Sequence, residues 1–250
     1  MNAVHATIAV LLILPQGFLS DGRSVQDVVT AVSRNAQQFR DQLPDLVCSE
    51  KVTSTTFESG KVDKQKLVES LFSIQKSREH REIIAIDGKP AKKNAPMPGL
   101  PLDIGGTFSF HVLLTFLPAY SKDYEFVFAE NPQDSGRWVV QFATTDQNNL
   151  SWDLDGERAA RDTGKAWIDA SSMQVARIER NLLNLPRRFS SWKVTVEQAP
   201  VSVGDKQYWL PQTFRTEIME RDPKKTASFV AEYSKCQKFT AEVSISPAGP

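Results

Sequence analysis

Histidine and cysteine are scarce in this sequence, and a net charge is missing altogether. The 30 basic and 30 acidic residues cancel, so no whole-chain field favours nucleic acid or an anionic membrane. His5, His80 and His111 with Cys48 and Cys236 form no Cys/His cluster at the spacing of a zinc site. Also lacking are a Gly-x-Ser-x-Gly elbow, a His-Glu-x-x-His helix and a phosphate-cradling glycine loop. Gly105-Gly106 alone makes no such loop. These absences predict a protein without cofactor or metal that is not an enzyme. No segment repeats at a fixed period and no linker separates two cores. A chain of 250 residues with 40% hydrophobic content therefore reads as one medium domain, expected to be a monomer.

An apolar run from Ala6 to Leu14 is too short to cross a bilayer and is followed by Pro15 and Gly17. It reads as the core of a secretory signal peptide over residues 1–22, cleaved after Gly22 or Ser24, although no Lys or Arg precedes it. A buried N-terminal strand or a misassigned start are the other readings. No cysteine follows the run, which argues against a lipid-anchored mature terminus. The expectation is a periplasmic or secreted protein with one domain over 23–246 and a frayed tail over 247–250. In that compartment Cys48 and Cys236 are candidates for a disulfide tying the first strand to one near the end; two buried free thiols are the alternative.

Ser24 to Leu43 has the pattern of an amphipathic helix. Val25, Val28, Val29, Val32 and Phe39 fall at helical spacing, Ser24 and Asp27 resemble a capping box, and Pro44 stops it. Period-two alternation then takes over, from Leu46–Phe57 through the strand marked by Val68, Phe72 and Ile74 to Arg81–Ile86, which ends in the turn dipeptide Asp87-Gly88. Alternation resumes at Phe126 and Phe128, again at Trp138, Val140 and Phe142, and a hairpin turns at Ala170-Ser171-Ser172. Beyond it come Trp192–Val196, Tyr208–Met219, Phe229–Tyr233 and a last strand with Phe239, Ala241, Val243 and Ile245 on one face. Between these runs lies an insertion. The Pro/Gly-rich loop Ala95–Pro101 leads into the apolar segment Phe108–Leu117, which reads as a short buried helix or a continuous strand, the helix favoured by the stop at Pro118. The sum is a mainly β chain with helical cover (α+β). It predicts a large curved antiparallel sheet, an unclosed half-barrel, with the N-terminal helix and the insertion on its concave face.

Three motifs carry a resemblance: Gly164-x-Ala166-Trp167-Ile168-Asp169, then Val175-x-Arg177-Ile178-Glu179, then Tyr208-Trp209-Leu210-Pro211 entering a strand. With the helix-first order they resemble the LolA-like half-barrel proteins of the periplasm, lipoprotein carriers and related sigma-factor regulators, over roughly residues 24–246. That resemblance implies an unclosed barrel with helices as a lid over an apolar cavity. The paired cysteines and the Pro/Gly-rich insertion set this chain apart from the carriers.

The functional expectation is an exported binding protein holding a lipid, an acyl chain or another apolar ligand beneath the insertion. Its contacts would come from Leu100, Phe108, Phe110, Leu113, Leu114, Phe116 and Leu117. The competing reading is that these side chains simply fill the core. Lys89, Lys92 and Lys93 would meet an anionic headgroup or serve as a solubilising loop. An envelope interaction or sensor module with a protein partner is the second functional class, and a hydrolase using Asp153, Asp169 or Glu179 the third. Ser151–Gly156 with Asp162 reads as a strand ending in an Asp-Gly turn rather than a calcium loop.

Overall fold

The computed structural model describes residues 22–239 except 77, 106, 109, 146–151, 155–156 and 160; the signal-like run, Asp155-Gly156 and the strand expected beyond Phe239 lie outside the described residues.

Ser24 and Asp27 start the first helix, α1 (Val25–Gln42), by a reciprocal cap. The Asp27 amide donates to the Ser24 hydroxyl at 3.2 Å, and the Ser24 amide donates to the Asp27 carboxylate at 3.0 Å. Val28, Val29, Val32 and Ala36 are its buried stripe.

Three strands follow as hairpins: β1 (Leu46–Glu58), β2 (Lys61–Gln75) and β3 (Arg78–Ile86), with the two-residue β4 (Lys89–Pro90). Tight turns at Ser59-Gly60 and Asp87-Gly88 place both central residues at positive φ, 52° and 77°, then 51° and 74°. That turn geometry matches the right-handed twist of the flanking strands, and the glycines adopt it without strain. After the insertion, which forms α2 (Phe110–Phe116) and α3 (Pro118–Ser121), come β5 (Tyr124–Asp134) and β6 (Arg137–Thr144). A separate two-stranded ribbon, β7 (Trp152–Leu154) with β8 (Glu157–Ala159), precedes β9 (Arg161–Asp169). The chain then meanders through β10 (Val175–Leu183), β11 (Phe189–Val203), β12 (Lys206–Glu220) and β13 (Lys225–Lys238).

These strands form one open sheet of eleven, in the order β4-β3-β2-β1-β13-β12-β11-β10-β9-β6-β5, with every pairing antiparallel. The ends do not pair, so the half-barrel is unclosed. The order explains the insertion. β4 lies at one edge and β5 at the other, so the chain between them must traverse the whole sheet, and it does so on the dry side. Phe108 stacks on Phe72 of β2 and meets Tyr233 of β13 edge-on, at centroid distances of 5.0 and 5.1 Å. Phe116 stacks on Phe126 of β5 at 5.7 Å. The same side carries α1, which packs against α2, α3 and β5.

β1 and β13 are neighbours at the middle of the sheet, where the two wings of the chain meet. Near one end of this seam the register shifts between Val47 and Ser49, and Lys235 takes φ 53°. Such a bulge inverts the side-chain alternation beyond it. Tyr233 and Cys236 both become buried, although their spacing in a regular strand would put them on opposite faces. Cys236 thereby joins Cys48 in a disulfide that spans 188 residues of sequence. Cys48→Ala with Cys236→Ala is expected to lose about 2–5 kcal/mol of stability. Urea unfolding reads this directly, and an unchanged midpoint would mean that the bond contributes nothing to the seam.

Candidate functional site: an open cleft at one end of the concave face

The hairpin turns divide the sheet's two ends. α1 lies across the end that holds the β9–β10 turn, where the Asn35 amide donates to the carbonyls of Ser172 and Met173 at 2.9 and 2.8 Å. At the opposite end, near the β1–β2 and β12–β13 turns, the concave face is left as a cleft of about 1500 Å³. Its floor is the dry face of the central strands: Leu182 of β10, Phe189, Trp192 and Val194 of β11, and Phe214 and Ile218 of β12. Phe189 and Trp192 meet edge-to-face at 5.3 Å, an arrangement that fixes both rings.

One wall is the loop 99–105, which contributes Leu100, Leu102 and Ile104. A buried hydroxyl holds it. Ser54 of β1 accepts from the Leu102 amide and donates to the Leu102 carbonyl, both at 2.8 Å. A buried hydroxyl needs partners, and this loop backbone supplies them. The mouth is polar and carries both signs of charge: Asp63, Lys64 and Lys66 of β2, Glu58 and Lys225 at the strand ends, Asp103 on the loop wall, and Arg188 with Glu220.

Of the apolar residues expected to contact a ligand, Leu100 lines this cleft. Phe108, Leu114, Phe116 and Leu117 are buried in the core behind it. Leu113 is half-buried beside a small hollow bounded by Val32, Ala36, Phe39 and Trp209. Phe110 belongs to α2, as the helical reading of the insertion requires, but its side chain is outside the described residues. Lys89, Lys92 and Lys93 are solvent-facing and do not line the cleft. The floor residues on β10, β11 and β12 were legible as a dry strand face. Nothing in their period separates a filled face from an open one.

Two of the three carboxylates considered for hydrolysis, Asp169 and Glu179, stand apart from the cleft. Asp169 belongs to the β9–β10 turn at the far end, where one oxygen accepts from the amides and hydroxyls of Ser171 and Ser172 at 2.7–3.2 Å. Those bonds, the Ser171 hydroxyl first, hold its carboxyl below the usual range. Glu179 is half-exposed and pairs with Arg177, which also bonds Glu197 at 2.8 Å. Asp153 is on β7, its side chain outside the described residues. Among the described residues no group of three or more His, Cys, Asp or Glu is placed to hold a metal ion.

Sequence periodicity missed two buried polar clusters: Glu50 of β1, 2% exposed, which accepts from Arg81 at 2.8 Å and from the Ser70 hydroxyl at 2.7 Å, and a second on β9 and β10. Arg180 of β10 and Asp162 of β9 are 1% and 0% exposed and form an ion pair on the dry face. Arg180 also donates to the Tyr124 hydroxyl at 3.0 Å and to the Thr115 hydroxyl of α2, and its guanidinium lies 5.2 Å from the Phe142 ring centre. Burial pulls the guanidinium pKa down and pushes the Tyr124 hydroxyl up. The available signal was positional: Arg180 falls between Ile178 and Leu182, and Asp162 has the same parity as Ala166 and Ile168.

An unclosed half-barrel with an insertion across its concave face and a cleft left open at one end is the class this geometry defines. No family model matches the sequence, and no curated protein matches it. Among solved structures it is similar to a DUF1329 family protein from Desulfovibrio piger at 9% identity and TM-score 0.43, over 88% of this chain and 95% of that one. It is also similar to a LolA superfamily protein from Nitrosomonas europaea at 10% identity and TM-score 0.36, over 87% of this chain and 94% of that one. The likeness is one of outline.

Proposed function

We propose that the protein is an exported, monomeric, non-enzymatic binding protein that holds a lipid, an acyl chain or another apolar ligand in the half-barrel cleft. One observation carries the reading: a cleft of about 1500 Å³ floored by aromatic and aliphatic strand residues, larger than the roughly 300–1,000 Å³ that small-molecule pockets occupy. The disulfide fits an oxidising compartment, in keeping with removal of residues 1–22 and a mature domain over 23–246. The ligand lies against the strand floor and against Leu100, Leu102 and Ile104. Phe108, Phe110, Leu114, Phe116 and Leu117 contribute by fixing the lid, and Leu113 by closing its α1 side.

Leu100→Asp with Ile104→Asp tests this on half-buried loop residues rather than on the core. Each removes a contact worth about 1.5–3 kcal/mol when fully buried, so uptake of an apolar fluorescent probe is expected to fall at least about tenfold. Full uptake by the folded double variant would remove the cleft from consideration. A second reading, an envelope interaction module, is favoured by Leu71 and Ile84. Both are exposed on β2 and β3 beside a hollow that also involves Lys51, Glu69 and Glu232. Under that reading the loop variants stay fully competent for the partner.

A further inference from the structure

The arrangement of charge at the cleft mouth narrows the ligand class, on the reading that the cleft is the ligand site. Four cations and four carboxylates line it, and they alternate rather than segregate. Arg188 pairs with Glu220 at 2.8 Å. Lys225 stands opposite Glu58 in the β1–β13 register, and Lys64 follows Asp63 at the β1–β2 bulge. Lys66 is engaged by Asp87 at 2.7 Å, just beyond the lining residues. With Asp103 on the loop wall and Asp87 just beyond the rim, the carboxylates at least match the cations, so among the described residues the mouth carries no excess of positive charge.

The depth of the cleft is apolar. From Glu220 at the mouth to Phe214 on the floor, β12 runs six residues, about 20 Å at the rise of a strand. A ligand filling it has a polar end at the rim and an apolar body against Leu182, Trp192 and Phe214. A net anionic headgroup gains from the rim's cations what it loses to the neighbouring carboxylates. A headgroup carrying both signs finds a partner for each: carboxylates at Glu58 and Glu220 for its cationic part, and ammonium groups at Lys64 and Lys225 for its anionic part. We propose that the cleft takes an amphiphile whose polar end is zwitterionic, without net charge, and discriminates against net anionic amphiphiles of the same apolar body.

The test uses the full chain and two probes with the same acyl chain, lysophosphatidylcholine and lysophosphatidylglycerol, each displacing a bound apolar fluorophore below its micelle concentration. Exposed pairs of this kind contribute modestly, so the zwitterionic probe is expected to bind about three- to tenfold more tightly. Glu58→Lys with Asp63→Lys changes two exposed side chains, turns the mouth cationic and is expected to reverse the order by a similar factor. High salt should abolish that reversed preference. Equal or tighter binding of the anionic probe by the parent chain overturns the proposal, as does an unchanged order in the double variant. If the fluorophore binds but neither lysolipid displaces it, the headgroup inference fails alone. If nothing apolar binds, the reading of the cleft as a ligand site fails with it.

Discussion

Arg180→Leu is expected to destabilise the protein by about 3–5 kcal/mol, although it replaces a charged side chain with an apolar one in an apolar layer. Arg180 lies on the dry face between β9 and α2, and its loss strands the Asp162 carboxylate, which is wholly buried beside it. An unpaired buried carboxylate is among the most costly single defects a core can hold. The Tyr124 hydroxyl loses its donor at 3.0 Å, and Thr115 loses a bond that ties α2 to β10. Asp162→Leu alone should be similarly harmful, because it leaves the guanidinium facing Phe142 and Tyr124 without its counter-charge. The double change to leucine should recover most of the loss, since a buried ion pair and a well-packed apolar pair of similar volume often differ little. Urea unfolding of the two single variants and the double gives the coupling. A loss below about 1 kcal/mol in Arg180→Leu would show that the pair is not the structural tie described above.

Gly164 carries the second large expectation. A Cβ built there meets the Glu179 carbonyl oxygen of β10 at 2.0 Å and the Phe142 ring at 2.4 Å. The first contact is strand backbone, which cannot withdraw without breaking the β9–β10 ladder. The ring could move only by displacing Tyr124, 5.7 Å away edge-on, and the Arg180 guanidinium above it. Gly164→Ala is therefore expected to cost about 3 kcal/mol or more, the upper range for forcing extra volume into a packed layer, and Gly164→Val to prevent folding. Thermal unfolding measures the first and soluble yield the second. Adding Phe142→Leu should relieve Gly164→Ala only in part, because the carbonyl contact persists. Full relief would place the constraint in the ring alone, and parent-like stability of Gly164→Ala would show that the close approach does not exist.

Gly164 is also the first residue of the motif by which the sequence resembled half-barrel proteins, and the structure gives that glycine a reason: the cross-strand ring needs the space. Ala166, Ile168, Val175, Ile178 and Leu210 of the motifs belong to the core, whereas Trp167, Arg177 and Glu179 lie on the opposite face of the sheet. Trp167 packs beneath the Arg177 guanidinium at 5.4 Å, and Arg177 bridges Glu179 and Glu197. They stabilise the face away from the cleft, so the motif identifies architecture and says little about ligand.

By itself the sequence determined the elements and the class of fold. Period-two alternation is a local property, imposed residue by residue on any strand with one dry face, and the cap at Ser24 and the Asp87-Gly88 turn are local in the same sense. The tertiary structure alone decided which part of the dry face is filled and which is open. That depended on strand order: β4 and β5 lie at opposite edges, so the insertion had to cross between them. Phe108 and Phe116 were spent on the core, and the cleft fell to Leu182, Trp192 and Phe214 on strands far away in sequence. Likewise Arg180 and Asp162, 18 residues apart in the chain, read as two charges until β9 and β10 placed them side by side. Periodicity records whether a side chain faces water. Only the folding of distant segments against one another sets which side chain it faces instead, because contacts between those segments have no counterpart in local spacing.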